Sequence, residues 1–127
     1  MIAAGLDNAW AMSDVVIYHN PNCGTSRNTL ALLREKGLEP KVVEYLKAGW
    51  TEPQLQDLLK TMGASPRDIL RVRGTDAEDR GLTDPKVSNA AILKAMTENP
   101  VLVERPIVVT PKGAVLCRPM ERVLEIL

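Results

Sequence analysis

The residues best suited to chemistry lie in one short loop, His19 to Arg27, with the sequence HNPNCGTSR. This loop holds the single histidine of the chain and Cys23, which is one of two cysteines. A cysteine attacks as its thiolate, and a thiol with an ordinary pKa of about 8.5 is mostly protonated at neutral pH. Cys23 can therefore act as a nucleophile only if its surroundings favour the ionised sulfur.

Three features of the loop favour a thiolate at Cys23. A helix predicted to begin near Thr25 would direct its unpaired amides and positive dipole end toward the sulfur. His19 or Arg27 would add positive charge if either side chain faces the sulfur. Gly24 lets the backbone approach an incoming anion closely, and helix N-termini bind oxyanions readily. The alternative is that Cys23 is an ordinary structural thiol at the end of a strand.

The spacing around Cys23 excludes two common cysteine sites. A C-x-x-C redox pair would need a cysteine at position 26, where the chain has Ser26. A C-x5-R phosphate cradle would need an arginine at position 29, where the chain has Thr29. A single nucleophilic thiol remains, and it needs an external thiol for turnover. Cys117 could serve as a partner only if the fold brings it close, and its place at the end of an apolar run favours the core instead.

Arginines distant in sequence could complete a site for an oxyanion. Arg105 and Arg118 each precede a proline at one end of an apolar run, and X-Pro residues are held extended. Arginine presents a planar fork of donors that suits a tetrahedral anion. Arg71 lies at the end of a helical stretch, where the helix dipole favours a cation whatever the function. Taken alone, Arg105 and Arg118 are better explained as surface residues than as parts of a site.

Periodicity predicts the elements that would position these residues. The apolar run Val15–Tyr18 is typical of a buried strand, a helix then runs from a cap at Thr25 or Ser26 to Glu35, and residues 41–45 form a second strand. This opening is a βαβ unit with parallel strands.

The middle of the chain is predicted to be helical. A helix opens at Thr51 and closes at Gly63, and further helices begin at Pro66 and Asn89, with a polar surface loop over residues 74–86. Two strands, residues 106–110 and 114–117, form a hairpin, and a final helix follows Pro119. The order β-α-β, helical segment, β-β-α predicts an α/β thioredoxin/glutaredoxin-like fold with a mixed four-stranded sheet and a helical insertion.

Composition excludes several classes of function. Sixteen basic residues balance sixteen acidic ones, and the chain lacks phenylalanine, so neither nucleic-acid binding nor attraction to an anionic membrane is indicated. No apolar run approaches the roughly 20 residues of a membrane span. Two cysteines make neither a disulfide scaffold nor a metal cluster, which favours a reducing, cytoplasmic setting.

The length of 127 residues predicts one domain, residues 13–127. Residues 1–12 are expected to form an N-terminal extension that is disordered or precedes a natural start at Met12. Asp7 and Asn8 make this stretch a poor signal peptide.

Four segments, VVIYHNPNCGTSRNTL, MGASPRDILR, ERPIVVTPKGAVLCRP and VLEIL, resemble the glutaredoxin-coupled arsenate reductases, a branch of the thioredoxin superfamily. The similarity runs from Val15 to Leu127. The motif H-N-P-x-C-G-T-S-R is highly specific to this family.

The resemblance implies a role for each site residue. Cys23 matches the nucleophile that attacks arsenate, and His19 matches a loop histidine associated with lowering the pKa of that cysteine. Three arginines, Arg71, Arg105 and Arg118, match those that bind the oxyanion in the family. Gly24 and Thr25, at the helix start, are expected to help bind it. Pro106 matches the cis-proline of thioredoxin folds. Glutathione would attack the arsenate adduct, glutaredoxin would resolve the mixed disulfide, and no bound cofactor or metal is implied.

Two other functions remain open from the sequence. The first is a glutathione-dependent thiol oxidoreductase of the same fold without arsenate activity, against which the three matching arginines argue. The second is a Spx-type transcription regulator without catalysis, and Ser26 argues against the C-x-x-C switch that such regulators carry. The leading prediction is an arsenate reductase active in arsenical resistance.

Overall fold

Among residues 15–127, four short strands form one sheet. The computed structural model describes residues 15–127, so the predicted N-terminal extension, residues 1–12, lies outside the described residues. The strands are β1 (Val16–His19), β2 (Lys41–Glu44), β3 (Ile107–Thr110) and β4 (Gly113–Leu116), in the sheet order β2-β1-β3-β4. β1 pairs in parallel with β2 and antiparallel with β3, which pairs antiparallel with β4. This mixed four-stranded sheet confirms the predicted thioredoxin-like fold.

The helices largely follow the predicted pattern. The α-helices are α1 (Gly24–Glu35), α2 (Tyr45–Ala48), α3 (Glu52–Met62) and α4 (Asn89–Glu98). Three 3-10 helices are Pro66–Ile69, Pro100–Leu102 and Met120–Ile126. The sequence pattern did not predict α2 or the 3-10 helix Pro100–Leu102.

The helix predicted after Pro119 is present, but residues Met120–Ile126 form a 3-10 helix rather than an α-helix. Val123 and Ile126 are three residues apart, and both pack into the core next to β4, Val123 with no exposed surface. A 3-10 helix has three residues per turn and therefore places these two side chains on one face.

The start of α1 also differs from the prediction. Neither Thr25 nor Ser26 caps the helix, because α1 begins at Gly24 and Cys23 occupies the N-cap position with extended backbone angles. The buried Ser26 hydroxyl bonds the loop before the helix instead. The helix ends at Glu35 as predicted, and Gly37 follows with a φ of 84°.

The predicted ends of α3 are confirmed by its caps. The Thr51 hydroxyl accepts from the Gln54 amide at 3.2 Å, and the Gln54 side chain accepts from the Thr51 amide at 3.3 Å. This capping box satisfies two amides that the helix leaves unpaired. Gly63 closes the helix in the left-handed conformation at a φ of 67°, which glycine adopts without a steric penalty.

The described chain divides into two compact units. The first, residues 15–44 and 105–127, holds the sheet, α1 and the C-terminal 3-10 helix. Its core side chains are Val15, Ile17, Leu33, Val108, Val115, Cys117 and Val123. Cys117 is fully buried, as its position at the end of an apolar run predicts.

The second unit, residues 45–104, is helical and corresponds to the predicted insertion. Its α3 and α4 contribute the buried side chains Leu55, Leu58, Leu59, Ile92, Leu93 and Met96. An isolated antiparallel β-bridge pairs Leu70 with Val103. It holds together the two ends of the segment 70–103. The description of residues 13–127 as one domain stays a prediction.

Candidate active site

Cys23 lies where the loop after β1 becomes helix α1. The Cys23 amide donates to the Asn20 carbonyl at 3.0 Å, and the Cys23 carbonyl accepts from the Arg27 amide at 2.9 Å. The Asn20 side chain accepts from the Asn22 amide at 3.0 Å, which tightens the turn. These bonds fix the backbone on both sides of the cysteine and leave its side chain partly exposed at the helix start.

The surroundings of Cys23 favour its thiolate. Burial alone would raise the pKa of this thiol, because a charge is less well solvated away from water. The Ser26 amide, the Arg105 side chain and the Thr25 amide donate hydrogen bonds to the sulfur, and the Arg105 charge attracts it. Together these donors outweigh burial, and the pKa of Cys23 lies below its ordinary value.

His19 acts on the loop through Ser26. Its Nδ1 lies 2.6 Å from the Ser26 hydroxyl, which also accepts from the Asn20 amide at 3.0 Å, and all three residues are buried. Burial is the main cause that lowers the pKa of His19; Glu44 raises it, and Arg34 and Arg27 lower it. A neutral ring can accept a hydrogen bond from the Ser26 hydroxyl at Nδ1.

Ser26 is the site residue that the sequence analysis missed. Its hydroxyl holds the loop while its amide donates to the Cys23 sulfur. His19 is not among the groups that lower the pKa of Cys23 in this structure. It contacts the Ser26 hydroxyl, and Ser26 in turn donates its amide to the sulfur. The only sequence signal was a serine three positions after the cysteine, at a site where helix capping offered a simpler explanation.

Arg27 is not among the groups that act on the pKa of Cys23. Its Nη1 donates to the Pro21 carbonyl at 3.0 Å, so the side chain folds back over the loop. A Cβ atom added at Gly24 would meet only the Arg27 Nη2 atom, at 3.7 Å, which is an ordinary contact. Packing within the described chain therefore does not require glycine at position 24, and Gly24 is exposed.

Arg105 and Arg118 lie together near the helix start. The Arg105 side chain donates to Cys23, and its Nε is a buried donor without a hydrogen-bonding partner among residues 15–127. Arg118 donates from Nη1 to the Arg105 carbonyl at 3.2 Å. Both X-Pro bonds that follow these arginines, to Pro106 and Pro119, are cis.

Arg71 belongs to the helical unit and is paired there. Its Nη1 lies 2.7 Å from Glu104 Oε1, and the two side chains are 15% and 24% exposed. The backbone bonds from Arg71 to Leu102 and from Glu104 to Ile69, both at 2.8 Å, align the pair across the Leu70–Val103 bridge. No local sequence pattern indicates this ion pair, and the role of Arg71 toward an anion stays a prediction.

Among residues 15–127, no cluster of histidine, cysteine and acidic side chains could hold a metal ion. Within the same residues, no helix combines the length and apolar character needed to cross a bilayer. The candidate site consists of the Cys23 thiolate, the amides of Thr25 and Ser26, and the Arg105 side chain. Arg118 lies beside Arg105.

Comparison with known proteins identifies the family of this chain. The sequence matches the ArsC family over residues 18–126. The chain belongs to the ArsC family. An arsenate reductase of Synechocystis sp. is 52% identical over 113 residues, which are 89% of this chain and 81% of the relative. An arsenate reductase of Escherichia coli is 47% identical over 116 residues, which are 91% of this chain and 82% of the relative.

A solved structure also resembles this ArsC-family chain. The arsenate reductase from Vibrio cholerae superposes with a TM-score of 0.86 at 44% sequence identity, covering 92% of this chain and 99% of that one. The thioredoxin-like fold and the family predicted from the sequence are thus confirmed.

Proposed function

We propose that this chain reduces arsenate to arsenite through a covalent adduct on Cys23, with glutathione and glutaredoxin supplying the electrons. The observation that carries the proposal is the lowered pKa of Cys23, a partly exposed thiol that accepts hydrogen bonds from two helix-start amides and Arg105. The same donors that stabilise a thiolate suit the oxygens of a bound anion. The names of the ArsC relatives support arsenate as that anion.

The first step is nucleophilic attack by the Cys23 thiolate on arsenic. A sulfur–arsenic bond forms, one arsenic–oxygen bond breaks, and the departing oxygen takes up protons and leaves as water. Arsenic stays at oxidation state V in this step. Arg105 is well suited to assist, because its buried Nε has no partner among the described residues and an anion oxygen would satisfy it.

The second step requires a thiol from outside the chain. Cys117 is fully buried, and burial raises its pKa to about 12, so it is a poor partner for Cys23. The glutathione sulfur attacks the Cys23 sulfur, the sulfur–arsenic bond breaks, and its electron pair stays on arsenic, which leaves as arsenite at oxidation state III. The two sulfurs are oxidised to a mixed disulfide, and the glutathione proton goes to arsenite.

Glutaredoxin then restores the enzyme. Its thiolate attacks the glutathione sulfur of the mixed disulfide and releases Cys23 as a thiolate. The oxidised partner is returned to its thiol form by further glutathione. This cycle needs no prosthetic group, and its demand for reduced thiols fits the cytoplasm and a role in arsenical resistance.

The remaining site residues have roles consistent with this chemistry. The amide of Gly24, an exposed residue, and the first-turn residue Thr25 are proposed to bind arsenate oxygens at the start of α1. Arg71 and Arg118 are proposed to add positive charge, and Glu104 would hold the Arg71 side chain in place until the anion arrives. His19 is proposed to hold Ser26, so that the Ser26 amide stays directed at the sulfur.

The proposal is tested by arsenate-dependent oxidation of NADPH in the presence of glutathione, glutaredoxin and glutathione reductase. Wild-type protein should turn over only when arsenate, glutathione and glutaredoxin are all present. Cys23→Ser should reduce the rate to background while its circular dichroism and melting temperature stay close to wild type, because Cys23 is partly exposed. Arsenate turnover by Cys23→Ser equal to that of wild type would refute the proposal.

A further inference from the structure

An apolar groove lies at the opposite end of β1 from Cys23. Its volume is about 490 Å³, within the range of binding sites, which begins at about 300 Å³. Val15, which directly precedes β1, lines this groove together with Leu124 and Ile126 of the C-terminal 3-10 helix. We name it the C-terminal groove.

The described chain covers the C-terminal groove incompletely. Leu124 is 48% exposed, which makes it the most exposed of the large apolar side chains that residues 15–127 leave in water. Leu38 and Ile126, which also line the groove, pack against the core but are only partly buried. An apolar surface of this kind favours contact with another apolar group.

Two lysines give the C-terminal groove a positive charge. Lys36 and Lys112 are exposed and belong to its lining, in which the described residues include no acidic side chain. Lys112 Nζ donates to the Leu127 carbonyl at 2.8 Å, so this ammonium lies beside the end of the 3-10 helix. An occupant that matches the groove is therefore apolar and carries negative charge.

Residues 1–14, the N-terminal segment, have this composition. The segment contains no lysine or arginine, and its large apolar and acidic residues are Ile2, Leu6, Trp10, Met12, Asp7 and Asp14. It is joined to the groove directly, because the next residue is Val15. Five extended residues span at most about 17 Å, so Trp10 cannot be further than that from Val15 along the chain.

The covalent connection favours this segment over a separate partner. A short tether holds a binding group near its site at an effective concentration on the order of 1 mM, so burial of a small apolar area is enough to populate the contact. A second copy of the chain or a free ligand would have to reach that concentration in solution to compete.

We infer that the N-terminal segment packs into the C-terminal groove. Trp10 covers Leu124 and Ile126, and the acidic side chains of the segment lie near the two lysines. Tryptophan suits such a position, because its large apolar ring can be buried while its N–H stays in water. The segment precedes the residues that match the family, which begin at residue 18, and the groove is remote from Cys23. The inference is therefore independent of the arsenate chemistry.

Fluorine NMR of the full chain tests the inference. Labelling with 5-fluorotryptophan gives one signal each for Trp10 and Trp50, the two tryptophans of the chain, and Trp10→Phe assigns them. The shift difference between H2O and D2O grows with the exposure of the ring to solvent. Trp50, which is 5% exposed, supplies the buried reference. The difference for Trp10 should lie closer to that of Trp50 than to that of free 5-fluorotryptophan.

Leu124→Asp and Leu46→Asp are matched variants. Both leucines are exposed, at 48% and 41%, so both variants should fold, which circular dichroism checks. Leu124→Asp puts a negative charge into the contact and should move the Trp10 shift difference toward the free value. Leu46 does not line the groove, so Leu46→Asp should leave the difference unchanged. Lys36→Glu, at a second exposed lining residue, should act in the same direction as Leu124→Asp.

Nuclear Overhauser effects from the Trp10 ring to the Leu124 methyl groups identify the occupant. They should be present in wild type and absent between chains in a mixture of labelled and unlabelled protein. The inference is overturned if Trp10 in the folded wild type is as exposed as the free amino acid, or if folded Leu124→Asp leaves its signal unchanged. Effects that arise only between chains would also overturn it, and would make the groove an interface between copies.

Discussion

Replacing Arg105 by alanine should make Cys23 a weaker nucleophile at neutral pH. The Arg105 side chain donates a hydrogen bond to the Cys23 sulfur and attracts its negative charge, and both effects lower the pKa of the thiol. Burial acts in the opposite direction and would persist in Arg105→Ala. The thiolate would then keep only the backbone donors of Ser26 and Thr25.

The size of the effect follows from the kind of contact that is lost. A hydrogen bond to a charged group contributes about 1.5–3 kcal/mol, and the lower end applies here because Cys23 is partly exposed and water screens the pair. About 1.4 kcal/mol corresponds to a factor of ten in rate or equilibrium constant. Arg105→Ala should therefore lose up to about ten-fold in Cys23 reactivity near neutral pH.

Alkylation by iodoacetamide, measured across pH and quantified by mass spectrometry of the Cys23 peptide, reports this change. The rate rises with pH as the thiolate forms, and its midpoint in wild type should lie below that of an ordinary cysteine, because the pKa of Cys23 is lowered. Arg105→Ala should move the midpoint to higher pH, and Arg105→Lys should move it less, since it keeps the charge.

Arg34→Ala is the matched control for loss of one positive charge. Arg34 lies at the far end of α1, where it pairs with Glu39 at 3.4 Å, and it is not among the groups that act on Cys23. Its alkylation profile should match that of wild type. An Arg105→Ala profile identical to wild type would refute the assignment of Arg105 as the charged partner of the thiolate.

Three further predictions concern the residues around and behind the site. Ser26→Ala leaves the buried Asn20 amide without its acceptor and should lower the free energy of unfolding by about 1–3 kcal/mol in denaturant melts. The rate of Cys23 alkylation should also fall. A variant as stable and as reactive as wild type would contradict this prediction. Burial raises the pKa of Cys117 to about 12, so the native state keeps a proton that the unfolded chain releases, and stability should fall as pH rises from about 9 towards 12. Cys117→Ala should abolish that part of the pH dependence. Gly24→Ala should melt like wild type, because its Cβ meets only Arg27 Nη2 at 3.7 Å, but should raise the KM for arsenate at the helix start; an unchanged KM would remove the Gly24 backbone from the anion site.

Local sequence signals were sufficient where short-range chemistry decides the structure. The turn Pro111-Lys112-Gly113 between two apolar runs predicted the hairpin of β3 and β4, and the register pairs Thr110 with Gly113. Thr51 and Gly63 marked the ends of α3 because capping depends on neighbouring backbone groups alone. The position of Cys23 at the N-terminus of a helix was predictable, because the strand before it ends shortly before a helical pattern begins.

Long-range pairing lay beyond these signals. The Arg71–Glu104 ion pair joins residues 33 positions apart, and only the Leu70–Val103 bridge aligns them. The role of Ser26 was hidden for a related reason. A serine near a helix start fits the capping rule, and only the three-dimensional position of the His19 ring shows that its hydroxyl is engaged elsewhere.

The central claim is that a single thiolate, Cys23, performs the chemistry with an external thiol. Arsenate-dependent NADPH oxidation by Cys117→Ala, in the presence of glutathione, glutaredoxin and glutathione reductase, tests it most directly, because Cys23 is then the only cysteine of the chain. The predicted result is a rate within about two-fold of wild type under conditions where the variant is folded, since Cys117 is fully buried. Loss of arsenate turnover in folded Cys117→Ala would contradict the claim and indicate a second thiol in the cycle.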